Sequence, residues 1–194
     1  MDQKTTAQII ARVLDGDRQA YALLVEEYQA AVYHLALRMT GNSEDAGDLA
    51  QETFVRAFRN LHRCDPDKKF FTWLYTIGLN VLRNHLRKRK KAAAHDETAG
   101  GHLNRTAEGS ENPEQLLIRG EDAAVLNACL RKLPVDLREA VVLRFYQDLS
   151  FEDVAAISGA SVSAVKMRVY RGLERLKQLM EEGSGHGRGS GLHS

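Results

Sequence analysis

Positive charge is concentrated in two stretches of this 194-residue chain, although its formal net charge is only +1. Residues 83–91 contain six lysines and arginines and no acid, and residues 161–180 contain five against a single glutamate. Local clusters of cations are typical of surfaces that contact nucleic-acid phosphates. Acidic side chains gather elsewhere, above all between residues 44 and 52. The charge pattern therefore indicates nucleic-acid binding at two separate places.

The second cationic stretch lies in the pattern of a helix-turn-helix. Ser150-Phe151-Glu152-Asp153 is a capping box that opens a short helix, Gly159 provides the turn, and Ser161 opens a long helix. At about 100° per residue, the apolar side chains of the long helix fall in one narrow sector. These residues are Val162, Val165, Val169, Leu173 and Leu176.

The other sides of this long helix carry small side chains, a methionine and cations. The residues are Ser163, Ala164, Lys166, Met167, Arg168 and Arg171. A helix in a major groove needs small side chains for close approach, arginine for guanine edges and lysine for phosphates. A solvated basic face would explain the cations alone. The capped short helix and the Gly159 turn favour a DNA-reading helix instead.

Apolar residues at three- and four-residue spacing predict helices along most of the chain. In the first half we expect helices over 5–14, from Tyr21 to Thr40, from a cap at Ser43 to about Leu61, and from about Lys69 to Lys91. In the second half we expect them over 114–132 and 136–147, from Ser150 to Ile157, and from Ser161 to about Glu182. The predicted fold class is therefore all-α.

Two stretches lack this periodicity. Residues 92–113 predict a flexible linker, and the glycine-rich residues 183–194 predict a disordered tail. The expected organisation is a helical domain over 1–91, the linker, and a second helical domain over 114–182.

Several classes of protein are excluded by the sequence. No apolar run approaches the ~18 residues of a membrane span, and the N-terminus lacks the pattern of a secretory signal. Cys64 and Cys129 are too few for a disulfide framework or a zinc site. Phosphate-loop, nucleophile-elbow and zinc-protease motifs are absent. We therefore expect a cytoplasmic protein with no catalytic residue, no metal, no cofactor and no membrane insertion.

Several motifs resemble the sigma-70 family of bacterial sigma factors. Residues 45–54 look like its D-A-x-D-L-x-Q-E-x-F stretch, and residues 70–80 look like F-x-x-W-L-x-x-I-x-x-N. Leu133-Pro134, residues 149–155 and residues 165–168 match region 4 of the family in order and spacing. The resemblance covers about residues 8–91 and 113–180. The resemblance is strongest to the small extracytoplasmic-function class of sigma-E type, which has only regions 2 and 4.

This resemblance implies a dissociable polymerase subunit that directs promoter recognition, −10 melting and transcription initiation. The region 2 helical bundle would dock on the β′ clamp helices of core RNA polymerase and capture the melted −10 element. The region 4 helix-turn-helix would read the −35 element of promoter DNA, through the six residues named above, and touch the β flap. The family also implies an anti-sigma factor as a regulatory partner.

The matching motif assigns core-polymerase binding to Asp48, Gln51 and Glu52. Their three- and four-residue spacing places them on one polar face of a helix, where acidic groups complement a basic partner. Without the resemblance, Asp48 and Glu52 would be interpreted as solvated groups or partners of Arg56.

Capture of the −10 element is assigned to the fourth helix and the loop before it. The predicted residues are Arg63, Lys68, Asn80, Arg83, Asn84 and Arg87. Cations hold phosphates and aromatic rings stack on bases, and the loop 62–68 could also use His62 to line a pocket for a flipped base. Trp73 shares the apolar stripe and is predicted to lie in the core, whereas a stacking role for Tyr75 stays open.

Two other functions remain as alternatives at this point. Residues 130–180 alone would fit a stand-alone helix-turn-helix regulator, which leaves the acidic face and the Asn80–Arg87 stripe unexplained. A nucleic-acid-modifying enzyme would need a metal or nucleophile site, and His62 with Cys64 is too small a set of ligands.

Overall fold

The computed structural model describes residues 1–65, 67–98 and 121–185, and these ranges contain eight α-helices and no strand. The N-terminal unit consists of α1 (Gln3–Leu14), α2 (Tyr21–Thr40), α3 (Ser43–Arg59) and α4 (Phe70–Thr98). The C-terminal unit consists of α5 (Glu121–Lys132), α6 (Val135–Val141), α7 (Phe151–Ser158) and α8 (Val162–Gly185). The predicted all-α architecture of two helical units is confirmed.

Most of the predicted helix ends carry the expected caps. Gly41 and Gly159 adopt left-handed φ angles of +71° and +68° after α2 and α7. The Ser150 hydroxyl oxygen accepts a hydrogen bond from the backbone N–H of Asp153, and the same hydroxyl donates to the Asp153 carboxylate. The N-cap predicted at Ser150 is therefore formed, whereas the Asp153 carboxylate bonds the Ser150 hydroxyl and not the backbone N–H expected of a capping box.

Two helix ends differ from the prediction. Asn42, not Ser43, caps α3, because its side chain accepts the backbone N–H of Asp45 at 2.9 Å. Helix α4 continues seven residues past the predicted end at Lys91. Residues 92–94 are three alanines, the best helix-forming residue, so the cationic end of the helix is extended rather than broken.

The N-terminal unit has its own apolar core. Leu24 of α2, Phe54 of α3 and Leu74 of α4 are buried together with residues of α1. Tyr21 is buried beside Phe54 and donates its hydroxyl to the Phe54 carbonyl at 2.8 Å. This core fixes the rotation of α3 and α4, and therefore decides which of their side chains face outward.

The two units pack against each other through a second, shared core. Leu35 and Leu79 of the first unit belong to the same buried cluster as Leu143, Val154 and Ile157 of the second. A smaller cluster around Leu130 and Leu176 lies inside the C-terminal unit. The described residues thus form a closed arrangement of the two units.

A π-helical turn shapes the surface that the second unit presents to the first. The predicted helix over 136–147 is instead α6 followed by this turn at Val142–Tyr146, with the Gln147 N–H bonded to the Val142 carbonyl. The guanidinium of Arg38 in α2 lies 3.7 Å from the Tyr146 ring centroid. Such wide turns reorient the side chains that follow them, and here they direct Tyr146 and Gln147 toward the first unit.

The predicted domain limits stay predictions. Residues 92–98 of the expected linker are helical, and the rest of it, 99–113, lies outside the described residues. Of the expected tail, residues 183–185 continue α8, and residues 186–194 also lie outside the described ranges.

We expect Gly41→Ala to destabilise the protein more than Gly159→Ala. Both alanines would hold a left-handed φ, which costs about 1–2 kcal/mol, but only a Cβ at Gly41 would meet Arg131 of α5, at 2.2 Å from its Cδ. The measurement is thermal unfolding followed by circular dichroism. Equal losses in the two variants would show that Arg131 moves aside without cost.

Candidate nucleic-acid and partner interfaces

The acidic face predicted on α3 is present at the surface. Asp48, Gln51 and Glu52 are all exposed, and the last two lie one helical turn after Asp48. The Glu52 carboxylate pairs with Arg56 at the next turn, and both side chains remain half exposed. The alternative interpretation of Glu52 as a partner of Arg56 therefore describes a real contact. An exposed ion pair of this kind contributes little to stability. Glu52 can therefore exchange Arg56 for a partner that binds it more strongly.

An apolar groove of about 1030 Å³ lies beside this acidic face, between α2 and α3. Its walls include Tyr21, Val25, Val55 and Phe58, and Gln51 stands at its rim. The helical spacing of the apolar residues in α3 predicts that Phe58 faces inward, but this residue is 37% exposed and lines the groove. The apolar stripe of α3 is wider than the core can cover. The sequence signal for the groove was therefore this wide apolar stripe, which includes Val55 as well as Phe58.

The polar stripe predicted on α4 divides into two parts. Asn80 is exposed, and Arg87 donates to the side chain of Asn84 at 2.9 Å, so these side chains lie on the open surface of the helix or at its edge. Arg83 instead binds Glu139 of α6 through two hydrogen bonds of 2.8 and 2.6 Å. This carboxylate raises the pKa of the Arg83 guanidinium.

The loop predicted to form a base pocket is present. The cavity beside it lies at the end of the loop and not at its middle. A cavity of about 230 Å³ lies where the loop meets α4 and is lined by Tyr28, Lys68, Lys69 and Phe70 among others. Lys68 also pairs with Asp65 at 3.1 Å. Two other predicted loop residues, His62 and Arg63, are exposed and do not line this cavity.

The other loop and helix residues considered for chemistry are structural. Trp73 packs against the N-terminal core as expected. Tyr75 is buried and donates its hydroxyl to Gln147 at 2.7 Å, so it offers no stacking surface to a base. Burial raises the pKa of the Cys64 thiol to about 11, which keeps it protonated and a poor nucleophile. Cys129 is buried in the C-terminal core.

The helix-turn-helix presents the predicted outer face. Ser161 caps α8 by accepting the N–H of Ala164 at 3.2 Å, and Val165 is fully buried below it. Ser163, Lys166 and Arg171 are exposed, as is half of Met167, while Ala164 is partly buried. The start of α8 therefore offers polar, cationic and thioether groups on one accessible surface.

Three details of α8 qualify the sequence prediction. Leu173 was placed in the buried sector but is 42% exposed, because α5 and α6 cover a narrower strip of the helix than the apolar pattern suggests. Arg168 lies 3.9 Å from Asp136, so this cation is partly engaged within its own unit. The Lys166 ammonium lies 5.6 Å from the Phe151 ring centroid, which positions it beside α7.

Within the described ranges, no helix is both long enough and apolar enough to cross a membrane. The same ranges contain no cluster of three or more side chains suited to hold a metal ion.

Family models and relatives identify the chain. Residues 24–92 match the model of Sigma-70 region 2, and residues 124–176 match that of Sigma-70 region 4. The chain is 34% identical to the RNA polymerase sigma-H factor of Pseudomonas aeruginosa, over 93% of this chain and 96% of that protein. It is also 34% identical to the ECF RNA polymerase sigma factor SigW of Bacillus subtilis, over 89% and 95% of the two chains.

Solved structures show the same fold. CnrH, solved in complex with the cytosolic domain of CnrY, superposes with a TM-score of 0.68 at 28% identity, covering 91% of this chain and 97% of CnrH. The sigma factor RpoE of Bartonella quintana, solved with the anti-sigma factor NepR, gives a TM-score of 0.64 at 24% identity, covering 83% and 96%. With both regions matched in order and a curated relative aligned over almost the full length, this chain belongs to the extracytoplasmic-function class of the sigma-70 family of RNA polymerase sigma factors.

Proposed function

We propose that this sigma factor docks on core RNA polymerase through the acidic face of α3 and the apolar groove beside it. The observation that carries the assignment is their adjacency, because Gln51 belongs to both surfaces. Specific interfaces combine an apolar centre with a charged rim. The groove supplies the apolar centre, and Asp48 and Glu52 supply the charged rim. A basic, helical partner segment fits this surface, and the β′ clamp helices are that segment in the family.

The promoter contacts are assigned to the two remaining surfaces. The open side of α4, with Asn80, Asn84 and Arg87, would follow the melted −10 strand, and Arg83 would join it when released from Glu139. The small cavity next to Lys68 has the aromatic and cationic walls that suit an extruded base. The exposed start of α8 would enter the major groove of the −35 element. The β flap is the expected polymerase contact of the same unit.

An anti-sigma factor is included among the proposed partners. CnrH, which shares this fold at 28% identity, was solved with the cytosolic domain of CnrY bound to it. A protein that covers the groove or the acidic face of α3 would compete directly with core polymerase. The proposed activity is therefore that of a non-enzymatic initiation factor in the cytoplasm, whose chemistry resides in the polymerase and which a partner protein can withhold.

A polar group in the groove tests the docking assignment. We expect Val55→Asp to weaken core-polymerase binding about tenfold or more, since a carboxylate would then be buried at the centre of the interface. Val55 is 42% exposed, so the substitution leaves the core of the unit unchanged. The measurement is titration of purified core RNA polymerase with the fluorescently labelled protein.

Leu23→Asp is the matched control for this experiment. Leu23 lies on α2, is 41% exposed and is outside the groove lining. It should bind core polymerase like the wild type. Equal affinity of the Val55 variant and the wild type would reject the groove as the docking site, whereas equal loss in both variants would point to a nonspecific effect of added charge.

A further inference from the structure

The first helix of the chain forms part of the wall of the small cavity beside Lys68. Thr6 and Ile10 of α1 line this cavity of about 230 Å³, and both residues are buried. Pockets for drug-sized ligands measure ~300–1,000 Å³, so this smaller cavity suits a single base and not a longer stretch of nucleic acid. The match to Sigma-70 region 2 begins only at residue 24. Helix α1 therefore adds a wall that the matched region does not include.

Aromatic rings provide the flat part of this wall. The ring centroids of Tyr28 and Phe70 lie 5.3 Å apart, and Phe71 also lines the cavity. Phe70 is only 4% exposed, so the apolar core holds it in place. Aromatic side chains stack on every kind of base. These rings can therefore supply affinity for a base, but they do not select which base enters.

Gln3 is the lining residue that can select a base. Its Nε2 donates to the backbone carbonyl of Asp67 at 3.0 Å, which ties α1 to the loop. Asp67 is itself held, because its N–H donates to the Asp65 carboxylate at 3.0 Å. A carbonyl oxygen accepts and never donates, so this bond fixes the orientation of the Gln3 amide. The amide oxygen and the second N–H then remain to bind a ligand in a defined order.

The other polar groups of the wall are less suited to select a base. Thr6 donates its hydroxyl to the Asp2 carbonyl at 2.9 Å. Lys68 and Lys69 each pair with an acidic side chain, and an ammonium group can only donate. The Tyr28 hydroxyl can rotate to donate or to accept. Selection by hydrogen bonds in a fixed order therefore falls to Gln3.

An amide of fixed orientation distinguishes two classes of base. On the Watson–Crick edge, adenine and cytosine present an amino donor beside a ring-nitrogen acceptor, whereas guanine and thymine present a carbonyl acceptor beside an N–H donor. The order of donor and acceptor is thus reversed between amino and keto bases. Glutamine pairs with the amino group of adenine in base readout. A keto base would leave polar groups unpaired in the cavity, which is unfavourable.

We propose that Gln3 reads the base extruded from the −10 strand and makes the cavity selective for an amino base, adenine or cytosine. The proposal rests on the assignment of this cavity to an extruded base. Stacking on Tyr28 and Phe70 supplies affinity, and the Gln3 amide supplies selectivity. The bond to Asp67 makes Gln3 a brace of the loop as well as the residue that reads the base.

The test measures binding of the reconstituted holoenzyme to fluorescent single-stranded DNA. Each strand spans the non-template −10 element of a promoter that the holoenzyme selects, with one position at a time carrying each of the four bases or an abasic site. At one position the wild type should prefer amino bases over keto bases by about fivefold or more. Gln3→Met should reduce this preference to less than about twofold, since methionine has a similar length and no amide. The affinity for the strand that is abasic at this position should stay at the wild-type value.

Two further variants serve as controls. Gln8→Met makes the same change at another exposed position of α1, outside the cavity lining, and should keep the wild-type preference. Arg87→Ala removes a cation of α4 that is proposed to follow the strand. It should weaken binding of all strands alike, the abasic strands included, because it contacts phosphate and not a base.

The outcomes separate this proposal from the assignment of α4 to strand capture. A wild type without a position of amino-base preference, or a preference that survives in Gln3→Met, would overturn the reading by Gln3. Equal losses of the Gln3 variant on intact and abasic strands would also overturn it, since a purely structural brace gives that result. If Arg87→Ala weakens all strands while Gln3→Met changes nothing, only the role of Gln3 fails. Unchanged binding by Arg87→Ala would overturn strand capture by α4.

Discussion

Reversing the charges of Asp48 and Glu52 together to lysine is expected to weaken core-polymerase binding about a hundredfold or more. Both carboxylates are exposed, so the double variant keeps the α3 fold, and only the Glu52–Arg56 surface pair is lost. Opposed like charges at a protein interface cost several kcal/mol and slow association. The measurement is pull-down of purified core RNA polymerase, followed by titration at two salt concentrations.

The control for this prediction carries the same change in net charge at other places. Glu26→Lys with Glu181→Lys reverses one exposed acid on α2 and one on α8, both outside the proposed docking surface. It should bind core polymerase within about threefold of the wild type, as expected for exposed charges outside an interface. Undiminished binding by the Asp48 and Glu52 double variant would remove the acidic face from the docking site. The groove would then carry the interface alone.

The helices and their outward faces were largely predictable because they depend on local patterns. The turns at Gly41 and Gly159 and the cap at Ser150 follow from backbone geometry within a few residues. The polar face of α3 and the outer face of α8 follow from helical periodicity. These features require no knowledge of what packs against the helix.

The predictions that were wrong concern how much of the apolar stripe of each helix the neighbouring elements bury. Phe58 and Leu173 both lie in apolar stripes, yet each is partly exposed, since periodicity gives the direction of a side chain and not the extent of its cover. Tyr75 is the reverse case. It lies off the stripe of its own helix and is buried by Gln147 and the second unit, 72 residues away.

Contacts between the units were beyond sequence analysis for the same reason. The pairing of Arg83 with Glu139 joins residues 56 positions apart, and each side chain alone has the pattern of an exposed charge on a helix. The π-helical turn that points Tyr146 and Gln147 inward also has no simple sequence pattern. Arg83 was therefore predicted as a DNA contact, and the structure shows it bound to the Glu139 carboxylate of the second unit.

The second large effect is expected at the start of α8, where Lys166→Ala combined with Arg171→Ala should weaken promoter binding by the holoenzyme about a hundredfold. A contact to a base edge is worth about 1–3 kcal/mol, and each lost phosphate contact should lower the slope of log affinity against log salt by about one. Both side chains are exposed and lie outside the apolar stripe of α8, and the contact of Lys166 with Phe151 adds little to stability there.

The two single variants separate the roles of Lys166 and Arg171. The affinity of each variant holoenzyme is measured at several salt concentrations on promoters that the reconstituted holoenzyme selects from genomic DNA. A residue that binds phosphate should lose affinity on all promoters alike, whereas a residue that reads a base should lose it mainly where that base is present. Lys177→Ala is the control, because Lys177 lies farther along α8 and pairs with Glu181. Wild-type binding by the Lys166 and Arg171 double variant would contradict the insertion of α8 into the −35 element. It would leave the contacts of α4 with the melted strand as the source of promoter affinity.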